Sequence, residues 1–565
     1  MIRCAAVSIL GALLAGCVAP PRAPDSGTAK TYAFVVLREE GGAVARAITT
    51  APACPAIEFD GVAAPMDIRA GPATIPLRPT RSEPALSKPS AFPVLVCEKA
   101  IPAGVIRAAI DDRALPLPNA DPRKIVVIGD SGCRIKTADG VFQACNDATQ
   151  WPFAAVAAAA AAAAPDLVIH VGDYHYRENE CPAGNARCAA SPWGYGWDAW
   201  EADLFAPAEV LFRAAPWIVV RGNHESCNRA GQGWWRFLDP RPLAPRQDCN
   251  AAADDAIGDY SEPYAVPLGS GPAADTQLIV FDSSLVGVAP LPADNAMHVR
   301  YRAQLERAFA LAARRPNAFF MNHHPILAFA PNPARPDAPF PGNGALQSVL
   351  AGLQPTVLFP PNVKALLSGH VHLFEVVSFA TPQPAQFVSG NGGDWIDTPL
   401  PLPLPAGVVP APGTVIAGLV ATNRFGFMTM ERDGAQWRIV AHDARGAPRF
   451  SCTLQERQAS CVSMPHWPAR LSLTVYLDVL FGAAIGNGNH DAKADRNHDS
   501  DHRPRRADAV QNAQLPERGQ KAANQDDETN EIHACPFHNN LLTGCDSYAD
   551  LQPCCWNGSG NLLLE

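Results

Sequence analysis

Five short segments of the chain each combine an apolar run with side chains that bind metal ions in proteins. In chain order they read VVIGDSG (126–132), LVIHVGDYHY (167–176), WIVVRGNHE (217–225), AFFMNHHP (318–325) and KALLSGHVH (364–372). Together they supply aspartate, tyrosine, asparagine and histidine, the oxygen- and nitrogen-rich set that two neighbouring cations need. Each set follows a stretch typical of a buried strand, and sites in open α/β sheets form at the carboxyl ends of strands. The pattern predicts a two-cation centre at such an edge.

The order and spelling of these motifs resemble those of the calcineurin-like metallophosphoesterases, and within them the purple acid phosphatases. The matching residues are Gly129-Asp130-Ser131-Gly132, Gly172-Asp173 with Tyr176, Gly222-Asn223-His224-Glu225, His323 with Pro325, and Gly369-His370-Val371-His372. Tyr176 discriminates most, because many members of the superfamily lack it and begin instead with D-x-H at the position of Asp130. This chain has the tyrosine and no D-x-H, as the purple acid subgroup does. The resemblance covers about residues 121–445.

The resemblance implies a set of ligands for each of two cations. Its six terminal ligands would be Asp130, Tyr176 and His372 on the first metal, and Asn223, His323 and His370 on the second. A bridging carboxylate is also needed, and Asp173 in the central motif is assigned to it. A phenolate is a hard, charged donor, so Tyr176 predicts Fe(III) at the first position. The neutral second set predicts a divalent partner, Zn, Mn or Fe.

The expected reaction is hydrolysis of phosphate monoesters by attack of a metal-bound hydroxide at this dinuclear centre. Two cations acidify a bound water and screen the charge of the in-line transition state. His224 follows a ligand, and we expect it to hydrogen-bond the phosphate and help protonate the leaving oxygen. Phosphodiesters, such as nucleotides or lipid head groups, are an alternative, because the motifs define the metals and not the pocket. A non-catalytic surface-binding lipoprotein would have eroded ligands, and here all seven are present.

Three further histidines lie in or beside the motifs. His323 is preferred to His324 as a ligand because the family pattern has H-x-P. His175 and His324 lie beside ligands and either face the substrate or pack in a loop. His170 lies inside the strand LVIHVGD and is predicted to pack there.

Two aspartates and one aromatic loop are also open to two interpretations. Asp282 and Asp394 stand at loop starts, where structural capping is the expected role. The aromatic loop 193–200 either stacks on a nucleobase or covers the core.

The N-terminus predicts export and lipid anchoring. Residues 1–17 read MIRCAAVSILGALLAGC, which has a basic start and an apolar core too short to span a bilayer. The L-A-G-C ending resembles a bacterial lipoprotein signal in which Cys17 becomes the lipidated first residue; an ordinary signal peptide is the alternative. Residues 18–30 would be a tether. The protein is therefore expected at the cell envelope, periplasmic or outer-membrane facing, with the membrane and a small phosphoester as its partners.

Cysteine usage and charge bound the function further. Sixteen cysteines less Cys4 and Cys17 leave fourteen, an even number consistent with an oxidising compartment. Four pairs are close enough in sequence to suggest local disulfide loops, Cys133/Cys145, Cys181/Cys188, Cys227/Cys249 and Cys452/Cys461, and Cys54/Cys97 is a plausible longer pair. No C-x-x-C pair occurs, which favours disulfides over zinc–thiolate sites. A net charge of −10 argues against a nucleic-acid partner.

The alternation of strand and helix patterns predicts an α/β fold, a two-sheet α/β/β/α metallophosphoesterase sandwich preceded by a small β-domain. The β-domain is predicted over residues 31–118 and the catalytic domain over 121–462. Two helices are predicted, at the alanine-rich stretch 151–164 and at RAQLERAFALAARR (302–315). FGFMTMER and WRIVAHDA are predicted to be antiparallel strands that close a second sheet.

Beyond the catalytic domain the composition changes. Residues 487–531 contain few large aliphatic residues and no aromatic ones, so we expect disorder there. Residues 532–565 form a cysteine-containing tail to which the sequence assigns no role.

Overall fold

The computed structural model describes residues 29–269 and 275–465. The predicted lipoprotein signal with Cys17, most of the tether, and the segments 487–531 and 532–565 lie outside these residues. None of the helices in the described part of the chain is both long and apolar enough to cross a bilayer.

The N-terminal part of the chain is rich in short strands, as predicted for residues 31–118. Ten strands precede the first metal-ligand motif: β1 (Thr31–Leu37), β2 (Ala43–Thr49), β3 (Ala56–Phe59), β4 (Val62–Pro65), β5 (Asp67–Ala70), β6 (Ala73–Ile75), β7 (Ser90–Phe92), β8 (Leu95–Ile101), β9 (Ala108–Ile110) and β10 (Arg113–Ala114).

Strands and helices alternate after this part. The strands are β11 (Lys124–Ile128), β12 (Ile135–Lys136), β13 (Val141–Phe142), β14 (Leu167–His170), β15 (Trp217–Val219), β16 (Tyr264–Pro267), β17 (Thr276–Val280), β18 (Asn317–Met321), β19 (Val363–Ser368), β20 (Phe374–Phe379), β21 (Ala385–Ser389), β22 (Ile416–Thr422), β23 (Gly426–Asp433), β24 (Gln436–Asp443), β25 (Pro448–Gln455) and β26 (Gln458–Ser463). The helices are α1 (Phe153–Ala162), α2 (Trp197–Trp200), α3 (Glu209–Ala214), α4 (Gly231–Gly233), α5 (Asp255–Gly258), α6 (Ala296–Ala312) and α7 (Gly344–Leu353).

The first sheet has eleven strands in the order β26-β25-β24-β23-β11-β14-β15-β1-β2-β8-β5. Its central strands β11, β14 and β15 are parallel and carry the first three motifs. On one side β15 pairs in parallel with β1 from the N-terminal part, with Val36 opposite Trp217. The predicted domain boundary near residue 118 is therefore not a boundary between sheets. On the other side, β23 and β24 are antiparallel as predicted, but they extend this same sheet beside β11 and do not close the second one.

The second sheet has seven strands in the order β16-β17-β18-β19-β21-β20-β22 and carries the last two motifs. One apolar cluster joins Ile125 and Val127 of the first sheet to Met321 and Leu367 of the second, so the two sheets pack face to face. Helices α1 and α3 cover the outer face of the first sheet. Helices α6 and α7 cover that of the second. This is the predicted α/β/β/α arrangement.

Both predicted helices form, with adjusted ends. The alanine-rich α1 follows Pro152 and stops short of Pro165, because alanine favours helix and proline cannot continue one. Helix α6 begins six residues before the predicted start, since the Asn295 side chain accepts a hydrogen bond from the Met297 N–H at 2.8 Å and caps the first turn.

Five disulfides occur in the described residues, and they are the five predicted pairs: Cys54–Cys97, Cys133–Cys145, Cys181–Cys188, Cys227–Cys249 and Cys452–Cys461. Such bonds persist in oxidising compartments and are rare in the cytosol. Their number suggests an exported protein.

Candidate metal centre

The carboxyl ends of five strands meet at one edge of the two sheets and bring the predicted ligands together. The ligand-bearing loops are those of Asp130 after β11, Asp173 and Tyr176 after β14, Asn223 after β15, His323 after β18, and His370 and His372 after β19. All five of these strands take part in parallel pairs, which explains how residues far apart in sequence reach the same place.

The first predicted donor set surrounds the Tyr176 hydroxyl. The Tyr176 Oη lies 3.0 Å from Asp130 Oδ1, 2.8 Å from Asp173 Oδ2 and 3.1 Å from His372 Nε2. Asp130, Asp173 and Tyr176 are all buried. Burial, reinforced by the neighbouring Asp173 carboxylate, raises the pKa of Asp130 well above its usual value, and burial and both carboxylates raise the pKa of Tyr176. Acidic groups crowded in this way fit a cation, which would neutralise their mutual repulsion.

The second predicted donor set is centred on Asn223. The Asn223 Oδ1 lies 3.1 Å from His323 Nε2 and 3.1 Å from His370 Nδ1. With the amide reversed, its nitrogen would face both imidazoles and Asp173 instead. With its oxygen turned inward, the Asn223 amide places one acceptor opposite the acceptor nitrogens of the two imidazoles. A cation bound among these atoms would favour this orientation of the amide. Ligand atoms of Asp173, His323 and His370 all lie within 4.8 Å of one another, close enough to hold one ion.

Backbone carbonyls determine which imidazole nitrogen faces the centre. The Nδ1 of His323 lies 2.9 Å from the Val171 carbonyl, and the Nδ1 of His372 lies 2.9 Å from the Trp395 carbonyl. A carbonyl oxygen can only accept, so both histidines donate through Nδ1 and present the Nε2 lone pair to the centre. Histidines that bind metals are held in this way by a second hydrogen bond.

Asp173 contacts both donor sets. Its Oδ2 lies 2.8 Å from Tyr176 Oη and 3.1 Å from His323 Nε2. Its Oδ1 accepts a hydrogen bond from the His224 backbone N–H at 2.9 Å. This position between the two sets is the one that a bridging carboxylate requires.

The backbone around the ligands is strained and tightly packed. Asp130, Asp173 and His370 have φ of 53°, 56° and 69°, in the left-handed region that residues other than glycine rarely adopt. A Cβ on Gly222 would lie 2.0 Å from Asp173 Oδ1, and one on Gly369 would lie 2.4 Å from Asp130 Oδ2. Strain of this kind concentrates at functional sites, where the surrounding structure enforces it.

His224 lies beside the centre in a buried network that the sequence did not predict. Its Nδ1 is 2.9 Å from Glu178 Oε1, its Nε2 is 4.0 Å from Asp173 Oδ2, and its ring centroid is 3.9 Å from that of Tyr176. Glu178 also pairs with Arg229 and accepts from the Tyr195 hydroxyl at 2.9 Å. Burial, followed by the Arg229 cation, holds the pKa of His224 well below its usual value.

Glu225, the last residue of the third motif, binds the backbone of the second motif. Its carboxylate accepts backbone N–H bonds from Gly222 at 3.0 Å, Asp173 at 3.1 Å, Tyr174 at 2.8 Å and His175 at 3.2 Å. Burial and the Asp173 charge raise the pKa of Glu225 to about 8. Glu225 is part of the GNHE motif in the sequence. Its role in holding Asp173 in position is visible only from the hydrogen bonds between the folded loops.

Asp394 does not act as a simple cap, contrary to the expectation from its loop position. Its Oδ2 pairs with Arg134 Nη2 at 2.6 Å, and both side chains are buried. The Arg134 guanidinium carbon lies 5.0 Å from the Tyr176 ring centroid, and Nη2 lies 3.5 Å from His372 Nε2. The pair thus adjoins the first donor set. Asp282 accepts from the Ser284 N–H at 2.9 Å, the expected local cap, and also binds Arg221.

The remaining histidines pack inside the protein. His170 stacks on Tyr174 with ring centroids 3.9 Å apart, as predicted for a packed strand residue. His175 Nε2 lies 2.8 Å from the Gly194 carbonyl, and His324 Nδ1 lies 3.1 Å from the Ser283 hydroxyl. His175 and His324 are both buried, and His324 also lies beside the second donor set, with its ring centroid 4.3 Å from that of His370.

The aromatic loop 193–200 covers the core. Tyr195, Trp197 and Trp200 are buried in the cluster that contains α1 and α3. Trp193 lies under the Lys88 ammonium, which is 4.5 Å from its ring. Tyr195, Trp197 and Trp200 therefore offer no free ring for a nucleobase, and Trp193 is half-buried.

Comparisons with known proteins agree with this geometry. Residues 123–374 match the family model described as calcineurin-like phosphoesterase. No curated protein sequence matches the chain.

Similar solved structures include purple acid phosphatase PPD1 from yellow lupin (Lupinus luteus), 13% identical, covering 78% of this chain and 77% of that chain with a TM-score of 0.45. PhoD is 12% identical, with 78% and 92% covered and a TM-score of 0.41. GAP50, described as the anchor in the inner membrane complex of Plasmodium, is 11% identical, with 61% and 90% covered and a TM-score of 0.34.

The family match confirms the recognition made from the motifs and implies metal ions in the active site. Residues 123–374 match the calcineurin-like phosphoesterase family, and the protein is a hydrolase that acts on phosphoric esters with metal ions.

Proposed function

We propose that the protein hydrolyses phosphate monoesters at a dinuclear centre of the purple acid phosphatase type. The observation that carries the proposal is the position of Asp173, whose Oδ2 is 2.8 Å from Tyr176 Oη and 3.1 Å from His323 Nε2. A single carboxylate between two donor sets fits a centre of two metal ions better than a centre of one ion. The Tyr176 phenol supports Fe(III) in the first set, and the neutral amide and imidazoles support divalent Zn, Mn or Fe in the second.

Two cations held by these residues would activate a water and screen the negative charge of the phosphoryl group in the transition state. The protein's own contribution is positional. Glu225 fixes the loop of Asp173 through four backbone N–H bonds. The carbonyls of Val171 and Trp395 fix the tautomers of His323 and His372.

His224 is proposed as the group that hydrogen-bonds the phosphate and supplies a proton to the leaving oxygen. The Glu178 carboxylate accepts from its Nδ1 at 2.9 Å, and its Nε2 lies 2.7 Å from Arg229 Nη2 and 4.0 Å from Asp173 Oδ2, beside the predicted centre. A negative Glu178 also stabilises the protonated imidazole, which opposes the effect of burial.

Export with a lipid anchor at Cys17 completes the proposal. Its support is the L-A-G-C sequence and the five disulfides of the described chain. Cys17 itself lies outside the described residues.

Hydrolysis of a panel of monoesters and diesters by the purified, metal-loaded protein tests the proposal. We expect monoesters to be preferred and Asp173→Asn to lower the rate by orders of magnitude. Asp112→Asn is the matched control, since Asp112 is an exposed aspartate with φ of 59°, close to the 56° of Asp173. A preference for diesters would favour the alternative substrate class, and a fully active Asp173→Asn variant would contradict the bridging role.

A further inference from the structure

Trp395 is the most exposed tryptophan among the described residues, with 43% of its surface accessible. It follows Asp394 at the start of the long segment between β21 and β22. The other aromatic side chains near the centre cannot offer a ring face, because Tyr174, Tyr195 and Trp200 are buried. Among the described tryptophans Trp395 alone is exposed, and its backbone carbonyl contacts a predicted ligand, His372.

Main-chain hydrogen bonds tie the position of Trp395 to two predicted ligands of the first metal. The backbone N–H groups of Gly393 and Asp394 donate to the Asp130 carbonyl at 3.0 Å and 2.9 Å. The Trp395 carbonyl accepts from His372 Nδ1 at 2.9 Å, and the Asp397 carboxylate accepts from the His372 N–H at 2.8 Å. The indole thus projects from backbone bonded to Asp130 on one side and to His372 on the other.

The rest of the segment is anchored as well. Leu400 and Ala411 are buried in the core of the second sheet, and the Pro410 carbonyl accepts from the Gly342 N–H at 3.0 Å. A ring carried on anchored backbone loses little conformational freedom when it binds a ligand, so its contact contributes more to affinity.

We propose that Trp395 is a specificity-determining residue that stacks on an aromatic ring in the alcohol part of the phosphoester. The inference rests on the proposed function and narrows its substrate class to phosphate monoesters of alcohols that carry a planar aromatic ring. The phosphoryl group would lie at the Asp130 and His372 side of the centre, and the leaving group would extend past Trp395 toward solvent. Ring stacking of this kind adds attraction beyond the burial of apolar surface.

Binding of two non-hydrolysable phosphonates tests the inference without turnover. Phenylphosphonate and methylphosphonate share the anionic group and differ in the ring, and calorimetry on the metal-loaded protein measures both dissociation constants. We expect tighter binding of phenylphosphonate, weakened roughly 3- to 10-fold by Trp395→Ala, while methylphosphonate changes less than about twofold. Trp395→Phe keeps a ring and should retain most of the difference.

Val409→Ala is the matched control, an exposed apolar side chain on the same segment whose loss should leave both constants unchanged. Equal affinity of the two phosphonates for the wild type, or equal weakening of both by Trp395→Ala, would overturn the inference. These results are separate from the proposed function, since a protein that hydrolyses monoesters without such ring selectivity retains its activity and loses only the assignment of Trp395.

Discussion

Replacing Glu178 with glutamine tests whether the buried network behind His224 serves catalysis. The carboxylate receives three donors: His224 Nδ1 at 2.9 Å, the Tyr195 hydroxyl at 2.9 Å, and the Arg229 guanidinium. Glutamine has nearly the same shape, but its NH₂ would face one of these donors and its neutral amide would leave Arg229 without a counter-charge.

Two effects of different size follow from this geometry. Arg229 is buried, and an uncompensated buried charge lowers the free energy of unfolding by about 3–5 kcal/mol. General acid catalysis contributes about 10²- to 10⁴-fold to rates, so misorientation of His224 should lower kcat by roughly 10- to 100-fold while the imidazole remains.

A double-mutant cycle on kcat separates orientation from an independent role. If Glu178 acts through His224, Glu178→Gln should change kcat little in a His224→Ala background, because the group that it orients is gone. Denaturant unfolding of each variant measures the stability effect, and metal analysis confirms equal loading.

Glu201→Gln is the matched control for the cycle. Glu201 also pairs with a cation, Lys30, and accepts from a tyrosine, Tyr32, but it is partly exposed and lies away from the centre. Its substitution should cost less than about 1 kcal/mol and leave kcat unchanged. Multiplicative losses of kcat from Glu178→Gln and His224→Ala would refute the positioning role, as would wild-type kcat in Glu178→Gln.

Three further outcomes are expected. Tyr176→Phe should abolish the tyrosinate-to-iron colour of the oxidised protein, whereas Tyr260→Phe should keep it; a colourless, iron-free wild type that is fully active with two zinc or manganese ions would reject the purple acid type. Cys17→Ser should move the protein from the membrane to the soluble fraction and Cys4→Ser should not, since one lipid is the anchor; a variant still pelleting after a salt wash would reveal another anchor. Burial raises the pKa of Glu375 well above its usual value, so folding favours its protonated form and this stability is lost as pH rises above the unfolded pKa. Glu375→Gln should therefore raise Tm at pH 8 and change it little at pH 4, and an equal shift at both pH values would contradict this reasoning.

The candidate ligands could be predicted to lie together because each is local to a sequence signal. Asp130, Asp173 and Asn223 each follow an apolar strand within a few residues, and parallel strands bring their carboxyl ends to one edge. The alternation of apolar runs and helix patterns likewise predicted the two packed sheets with their outer helices.

The supporting residues depend on contacts that no local pattern records. Glu178 meets Arg229 across 51 residues, and Arg134 meets Asp394 across 260. The backbone of Trp395 is likewise held beside the predicted centre by a non-local contact, because its carbonyl accepts a hydrogen bond from His372 Nδ1. The extent of the first sheet is equally non-local, because β1 joins it through a parallel pairing with β15 far along the chain.

Metal content per chain tests the central claim most directly. We expect two metal ions per wild-type chain, one of them iron, and the same number in Asp112→Asn. Asp173→Asn should lose at least one ion, because its carboxylate is the group that contacts both donor sets. One ion per wild-type chain, or two retained in Asp173→Asn at the wild-type rate of hydrolysis, would contradict the dinuclear centre bridged by Asp173.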